Sequence, residues 1–289
     1  MSIYHIQILT FMGINTILAV GLNLITGYTG QLSLGHATFM GIGAYAATLS
    51  FLKLELPFVV AIIVGAVIAG IFGFIIGVPT LRLKGDYLAI ATLGFGEIAR
   101  NVLLNMKITG GPMGLRGIPK ITNIYIVIIA IALLIFALNR IMNSRVGKSF
   151  IAIREDELAA EAMGINTTRF KILAFAIGAF YAGVAGGLYA FQVRYINPGN
   201  FAFMRSIEIL CMVVLGGMGN TYGAILGAFI ITVLPELLRS VSPAVSQYRM
   251  VIYGLLLVIL MIVRPQGLLS QNFSIKLPKI NKKVGKEGN

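Results

Sequence analysis

Of 289 residues, 57% are hydrophobic and only 11% are charged, with a mean hydropathy of +0.90. A water-soluble domain carries about 25% charged residues, so this composition excludes an ordinary soluble fold and makes the bilayer the solvent for most of the chain. The formal charge of +13 is scattered between apolar stretches, with one cluster at the C-terminus. That pattern argues for inner-side loops and lipid contact, and against a nucleic-acid surface.

A transmembrane helix needs about 20 predominantly apolar residues, or about 17 at the short end. Such windows fall at 8–28, 32–52, 57–79, 87–105, 122–139, 172–193, 204–219, 221–239 and 249–264. The predicted fold is therefore all-α: a Gly-rich polytopic bundle of about nine membrane helices, within a range of 8–10, forming one domain over residues 1–270. Met1 to Gln7 contains no Lys or Arg, so the first run lacks the charged start of a signal peptide and reads as a retained helix. The seventh window is short and runs into Gly216, Gly217 and Gly219. It reads either as a full crossing or as a broken helix sheltered by protein.

The positive-inside rule sets the orientation. It places the N-terminus outside, and it places Arg82, Lys84 and the loop at about 140–171 inside. Residues 271–289, with Lys276, Lys279, Lys282, Lys283 and Lys286, form a basic cytoplasmic tail drawn to anionic lipid. Gly73 and Gly77, Gly183 and Gly187, and Gly223 and Gly227 are each four apart, the spacing that lets helix backbones approach closely in lipid.

Three motifs invite a chemical reading. Gln31, Ser33 and His36 open the second helix after a glycine-rich turn. No third group is evident to orient the histidine, so capping of the helix start is favoured over an intramembrane hydrolase. Glu97 and Arg100 stand three apart in the fourth span, where ionisable groups point into the bundle or a wet cavity. They read as a static ion pair joined by Asn101 and Asn105, or as a pathway or gating contact. Gly147-Lys148-Ser149 matches the end of a P-loop, but Met142 stands where the first glycine is needed and no strand precedes it. Glu208 and Glu236 fall near the outer face. The single cysteine, Cys211, lies in an apolar run, so neither a disulfide framework nor a Cys/His metal site is expected.

The one long hydrophilic insertion is Ser144–Lys171. Within it Ile151, Leu158, Ala162 and Ile165 recur at spacings of seven, four and three, and predict one apolar helix face over 151–164. Arg154, Glu155, Asp156, Glu157 and Glu161 charge the other faces. Gly164 fits the stop, and Asn166 with Thr167 opens the next helix. Surface helices that lie on lipid favour Lys and Arg, whereas this one is acidic. Docking into a groove on a cytoplasmic protein is the better reading.

Glu157 to Gly164 (ELAAEAMG) resembles the cytoplasmic coupling helix of ABC importer permeases. Gly21–His36 (GLNLITGYTGQLSLGH), Arg82–Gly94 (RLKGDYLAIATLG), Thr109–Leu115 (TGGPMGL) and Val214–Asn220 (VLGGMGN) all resemble the branched-chain amino-acid ABC transporter permeases, and within them the M-type subunit. The likeness runs from about residue 10 to about 270.

The resemblance implies a half-pore in a bacterial cytoplasmic membrane, completed by a second homologous permease. Two cytoplasmic ATP-binding subunits would hold ATP and Mg, so this chain needs no cofactor and is not itself an enzyme. An extracytoplasmic binding protein would deliver leucine, isoleucine or valine. Relatives that carry urea, amides or other amino acids leave the cargo open, and an ion-coupled secondary transporter is the more distant alternative. Arg154, Glu155, Asp156, Glu157, Leu158, Ala160, Glu161 and Gly164 are the expected contacts to the ATPase. Asn23, Gln31, Ser33, His36, Glu97 and Arg100 are the candidates for the pathway or its gate.

Overall fold

The computed structural model describes residues 3–80, 83, 85–241, 251, 254–255, 258–259 and 267–269. Most of the expected ninth span, Arg82, Lys84 and the whole basic tail lie outside the described residues. Ten α-helices follow in order: α1 Ile3–Leu22, α2 His36–Leu54, α3 Phe58–Thr80, α4 Asp86–Asn105, α5 Ile124–Met142, α6 Arg145–Glu155, α7 Glu157–Ala162, α8 Thr167–Val193, α9 Phe203–Gly216 and α10 Thr221–Val241. Among the described residues, seven of these, some with a short flanking turn, are long and apolar enough to cross a membrane. The apolar run Thr221–Glu236 of α10 is shorter. The all-α polytopic fold is as the composition requires.

Glycine and alanine organise the packing. In lipid no hydrophobic force drives helices together, so contact area between backbones has to do it. A Cβ built at Gly183 of α8 stands 2.7 Å from the Ala66 Cα of α3, and one at Gly65 stands 2.6 Å from the Gly43 carbonyl of α2. Gly73 faces Ala179 and Phe175, Gly77 faces Ile172, and Gly187 faces Ala47 and Ile62. These contacts weld α2, α3 and α8 into one block. Gly223 and Gly227 do the same between α10 and α9, against Gly216 and Met212. All three expected glycine pairs therefore sit at helix contacts. The buried α1 packs between the two groups, with Gly21 against Tyr181 and Gly178 of α8 and Asn15 bonded to Thr232 of α10. By contrast α5 leaves Ile128, Ile129, Leu133 and Phe136 exposed, a lipid-facing row.

Two helices have irregular ends, the first of them in departure from the sequence reading. The first continues past Leu22 as a π-helical turn, Asn23–Tyr28, and residues 29–35 then run without regular structure until α2 begins at His36, not at 32. Gly30, at φ +69°, turns the chain there. The second is α9, short as the sequence reads it: its 14 residues span about 21 Å at 1.5 Å per residue, and it reaches a spanning length only together with the turn from Pro198. Its end stays inside protein. Leu268 and Leu269 amides donate to the Leu215 and Gly216 carbonyls, both at 3.0 Å, and the Gly219 amide donates to the Asn23 side chain at 2.8 Å. A short helix with its last carbonyls satisfied in this way is tolerated at membrane depth.

The glycine contacts make a direct prediction. Gly183→Val pushes a branched side chain into helix backbone and should cost about 1–3 kcal/mol or more, read as a lower thermal midpoint of the detergent-solubilised chain. Gly94→Ala in α4, where nothing lies within 4 Å, should leave the midpoint unchanged or slightly raised. Equal effects at both positions would contradict the packing described.

Candidate functional site

The loop between α5 and α8 is built locally, from caps. Ser144 accepts a bond from the Val146 amide at 3.2 Å and starts α6. That helix buries Phe150 and Ile153, and the Phe150 ring meets Phe170 of α8 edge-on with centroids 6.3 Å apart. Gly147, Lys148 and Ser149 lie inside α6, so they form no phosphate-binding loop.

At Asp156 the backbone turns extended, with φ −156° and ψ 111°. Its carboxylate accepts from the Leu158 and Ala159 amides at 2.9 and 3.0 Å. This N-cap ends one helix and begins another, which corrects the expectation of a single helix over 151–164. Ile151, Leu158, Ala162 and Ile165 consequently do not share one face. What α7 buries is Ala160; Leu158 is 71% exposed and Met163 83%. The stop at Gly164 is as expected. Its φ is +81°, and the Gly164 and Ile165 amides return to the Glu161 and Ala160 carbonyls at 2.9 and 3.1 Å, a Schellman motif. Asn166 then caps α8 through the Arg169 amide at 3.0 Å.

Two contacts tie this element to the bundle. Glu157 turns inward and pairs with Lys171 of α8 at 2.6 Å, where the lysine side chain is 9% exposed. Glu157 thus pairs with α8 at its inner side, while Glu161 stays exposed. The second contact is Gly30, where a Cβ would lie 3.5 Å from the Arg154 Cγ. Between these contacts lies a cavity of about 250 Å³ lined by Gln31, Gly85, Arg154, Glu155, Asp156 and Lys171 among others. An Arg154 guanidinium nitrogen and the Gln31 side-chain oxygen are buried there, with no hydrogen-bond partner among the described residues.

The polar residues chosen from the sequence form a knot near this end. Asn23 is fully buried and holds the turn after α9 through Gly219, and Tyr28 meets Thr221 at 2.9 Å. Gln31 donates from its backbone to the Ile25 carbonyl at 3.1 Å and from its side chain to Thr29 at 2.8 Å. Ser33 accepts only from the Gly35 amide, at 3.4 Å, and does not cap α2, contrary to expectation. The caps come from other helices instead. Thr92 of α4 accepts from the Leu34 amide at 3.0 Å, and Ser206 of α9 accepts from the Ala37 amide at 3.1 Å. His36 is fully buried beside Gly21 of α1 and makes no hydrogen bond to Ser33, so no hydrolytic pair exists.

Glu97 and Arg100 pair at 3.0 Å as predicted, but their side chains remain 40% and 38% exposed. Asn101 and Asn105 bond backward to the Glu97 and Asn101 carbonyls at 2.8 Å each, so they stiffen α4 and do not join the ion pair. A charge facing hydrocarbon at mid-span costs roughly 2.5–3.5 kcal/mol on insertion scales. This face of α4 thus requires a protein or aqueous neighbour.

At the opposite, outer end lies a cavity of about 440 Å³ between α1, α9 and α10. Arg205 pairs with Glu208 at 2.7 Å, with side chains 20% and 14% exposed, and also donates to the Asn15 side chain at 2.5 Å. Glu208, expected near the outer face, lines this cavity. Glu236, also on its wall, accepts from the Tyr4 hydroxyl. The spacing of three between Arg205 and Glu208 is the signal that could have found this pair, whereas the bond from Arg205 to Asn15, 190 residues away, leaves none. The outer loop Thr109–Leu115 is clamped nearby by reciprocal backbone bonds between Leu115 and Ile196 at 2.8 and 3.2 Å.

The Lys171–Glu157 pair sets a measurable stability. Removing one partner of a fully buried pair costs about 3–5 kcal/mol. Glu157 keeps 30% exposure, so screening should reduce the cost of Lys171→Met to about 1–2 kcal/mol, seen as a lower thermal midpoint. Adding Glu157→Gln should recover most of the loss. An unshifted midpoint in the single variant would refute the pair's structural role.

Residues 4–261 match the family described as the branched-chain amino acid transport system permease component. The chain is 38% identical to the high-affinity branched-chain amino acid transport system permease protein LivM of Salmonella typhimurium, across 91% of this chain and 69% of that protein. It is 28% identical to the permease protein LivH of Escherichia coli K12, across 88% of this chain and 91% of that one. Among solved structures it is loosely similar to PsaBC from Streptococcus pneumoniae in complex with Fab, with 17% identity, a TM-score of 0.45, and coverage of 91% and 92% of the two chains. By the extent of the family match and the likeness to LivM, this multi-pass membrane protein belongs to the branched-chain amino acid transport permease family.

Proposed function

We propose that this chain is one permease half of an ATP-driven importer for leucine, isoleucine and valine. A second homologous permease completes the pore, two cytoplasmic subunits bind and hydrolyse ATP, and an extracytoplasmic protein delivers substrate. The observation that carries the reading is the geometry of α7 in a chain of this family. It is a short helix capped at both ends by Asp156 and Gly164, anchored to α8 by one ion pair. Its Leu158 and Met163 are left open at the cytoplasmic end. Apolar residues on a rigid, exposed helix are what a partner's groove takes up.

The mechanism is alternating access. Closure of the ATPase pair displaces α7. Lys171 passes the displacement to α8, and through its glycine contacts to α2 and α3 as one body. Arg154, seated on Gly30, passes it to the segment joining α1 and α2. The knot of Asn23, Gly219, Tyr28 and Thr221 is then the joint at which that body moves against α9 and α10. The Glu97–Arg100 face of α4 meets the second permease or the aqueous path between the halves.

The test is uptake of radiolabelled leucine by proteoliposomes holding the complete complex, with Leu158→Asp as the variant. Wild-type complex should take up leucine with ATP, in competition with isoleucine and valine. Leu158→Asp should retain ATP hydrolysis and lose at least tenfold in uptake. Full uptake by the variant would sink the docking role, and no leucine uptake by an intact, ATP-hydrolysing wild type would sink the substrate.

A further inference from the structure

The geometry points to the outer cavity as a receiving site for the free amino-acid zwitterion, read by Arg205 and Glu208 through exchange of their own ion pair. This inference rests on the substrate class proposed above and locates where that substrate is held. The pair is unusual in its setting. It lies on the wall of a cavity of about 440 Å³, within the range of about 300–1,000 Å³ typical of small-molecule sites. Both partners are largely withdrawn from solvent yet open to that space. Such a pair is costly to desolvate and does little for stability by itself.

An α-amino acid carries a carboxylate and an ammonium on one carbon, the same two charges in the opposite roles. It can therefore insert between Arg205 and Glu208 without leaving any charge unpaired. The guanidinium of Arg205 offers a planar fork that fits a carboxylate with two parallel hydrogen bonds. Asn15 accepts one arm of that guanidinium and is itself held by Thr232 at 2.8 Å, which fixes the fork's direction. Glu208 meets the ammonium, with Glu236 on the same wall.

The remaining wall explains why a branched aliphatic side chain fits. Phe11, Met212, Ile231 and Pro235 form an apolar part of it, beside Tyr189, Asn200 and Thr232, and that part offers no side-chain hydrogen bond to a polar substrate. Methionine is unbranched and adaptable, so leucine, isoleucine and valine can share the space, and discrimination among them by one methylene is modest. The substrate exchanges an internal pair for two of its own, so binding is weak enough to release the cargo inward once the joint at Asn23 and Gly219 moves.

Saturation-transfer NMR of leucine with the purified complex, free of binding protein, tests this directly. Leucine should give a signal, while leucinamide and N-acetyl-leucine, each lacking one charge, should bind at least tenfold more weakly. Arg205→Gln and Glu208→Gln should each lower leucine affinity at least tenfold. Met212→Ala should gain a phenylalanine signal, a readout that a misfolded variant cannot give. The proposal is overturned if wild type gives no leucine signal, if N-acetyl-leucine binds as well as leucine, or if both charge variants bind leucine normally. Leucine uptake by the complete proteoliposome system in any of those cases would leave the importer reading standing and remove only this site.

Discussion

The close approach of α2, α3 and α8 is the constraint on which the rest of the structure depends. In lipid an apolar side chain gains nothing by leaving its solvent for another helix, so the helices associate where their backbones can touch. Gly43, Gly65, Gly183 and Gly186 supply that contact, and each would place a Cβ within 3.0 Å of a neighbouring backbone or small side chain. Such a block has little room to deform internally. A force applied at one end of α8 is therefore felt along its length. The Glu157–Lys171 pair, the Arg154 contact at Gly30 and the Phe150–Phe170 ring contact together link α6 and α7 to the membrane helices.

Between this block and the α9–α10 pair the contacts change in kind, from apolar and glycine-mediated to polar. Asn23 to Gly219, Tyr28 to Thr221 and Ala37 to Ser206 are hydrogen bonds between segments far apart in the chain, and Leu34 to Thr92 ties the start of α2 to α4 in the same way. Bonds of this sort are individually modest, at about 0.5–1.5 kcal/mol net, and can be exchanged one for another. A joint made of them can hold two arrangements, which a glycine-welded contact cannot.

The parts of this architecture that were legible in the sequence were those set by neighbours in the chain. Gly164 as a stop and Asn166 as a start depend on amides three or four residues away, and both were foreseen. So was the Glu97–Arg100 pair, because i and i+3 share a helix face. The break at Asp156 is equally local, an acidic N-cap before Glu157, but the apolar spacing of Ile151 and Leu158 runs across it without a mark. The rest lay beyond reach for a physical reason. The glycine spacing marked close contacts without naming the facing helix. Thr92 and Ser206 cap a helix from elsewhere in the fold, and Arg205 finds Asn15 across 190 residues; neither leaves a periodic trace. The sequence blocks shared with the permease family made up part of that gap, since Asn23, Leu34, Thr92 and Gly219, which meet at the polar seam, fall within three of them.

The central claim is that α2, α3 and α8 move as one body when the cytoplasmic element is driven. Electron-spin distance measurements on the assembled complex test it, with labels at Thr168 and Leu54 inside the block and at Thr168 and Tyr222 across the seam. All three positions are exposed in this chain. The Thr168–Leu54 distance should be the same in the nucleotide-free and ATP-trapped states, while Thr168–Tyr222 shifts by several ångströms. A change within the block, with none across the seam, would contradict the account.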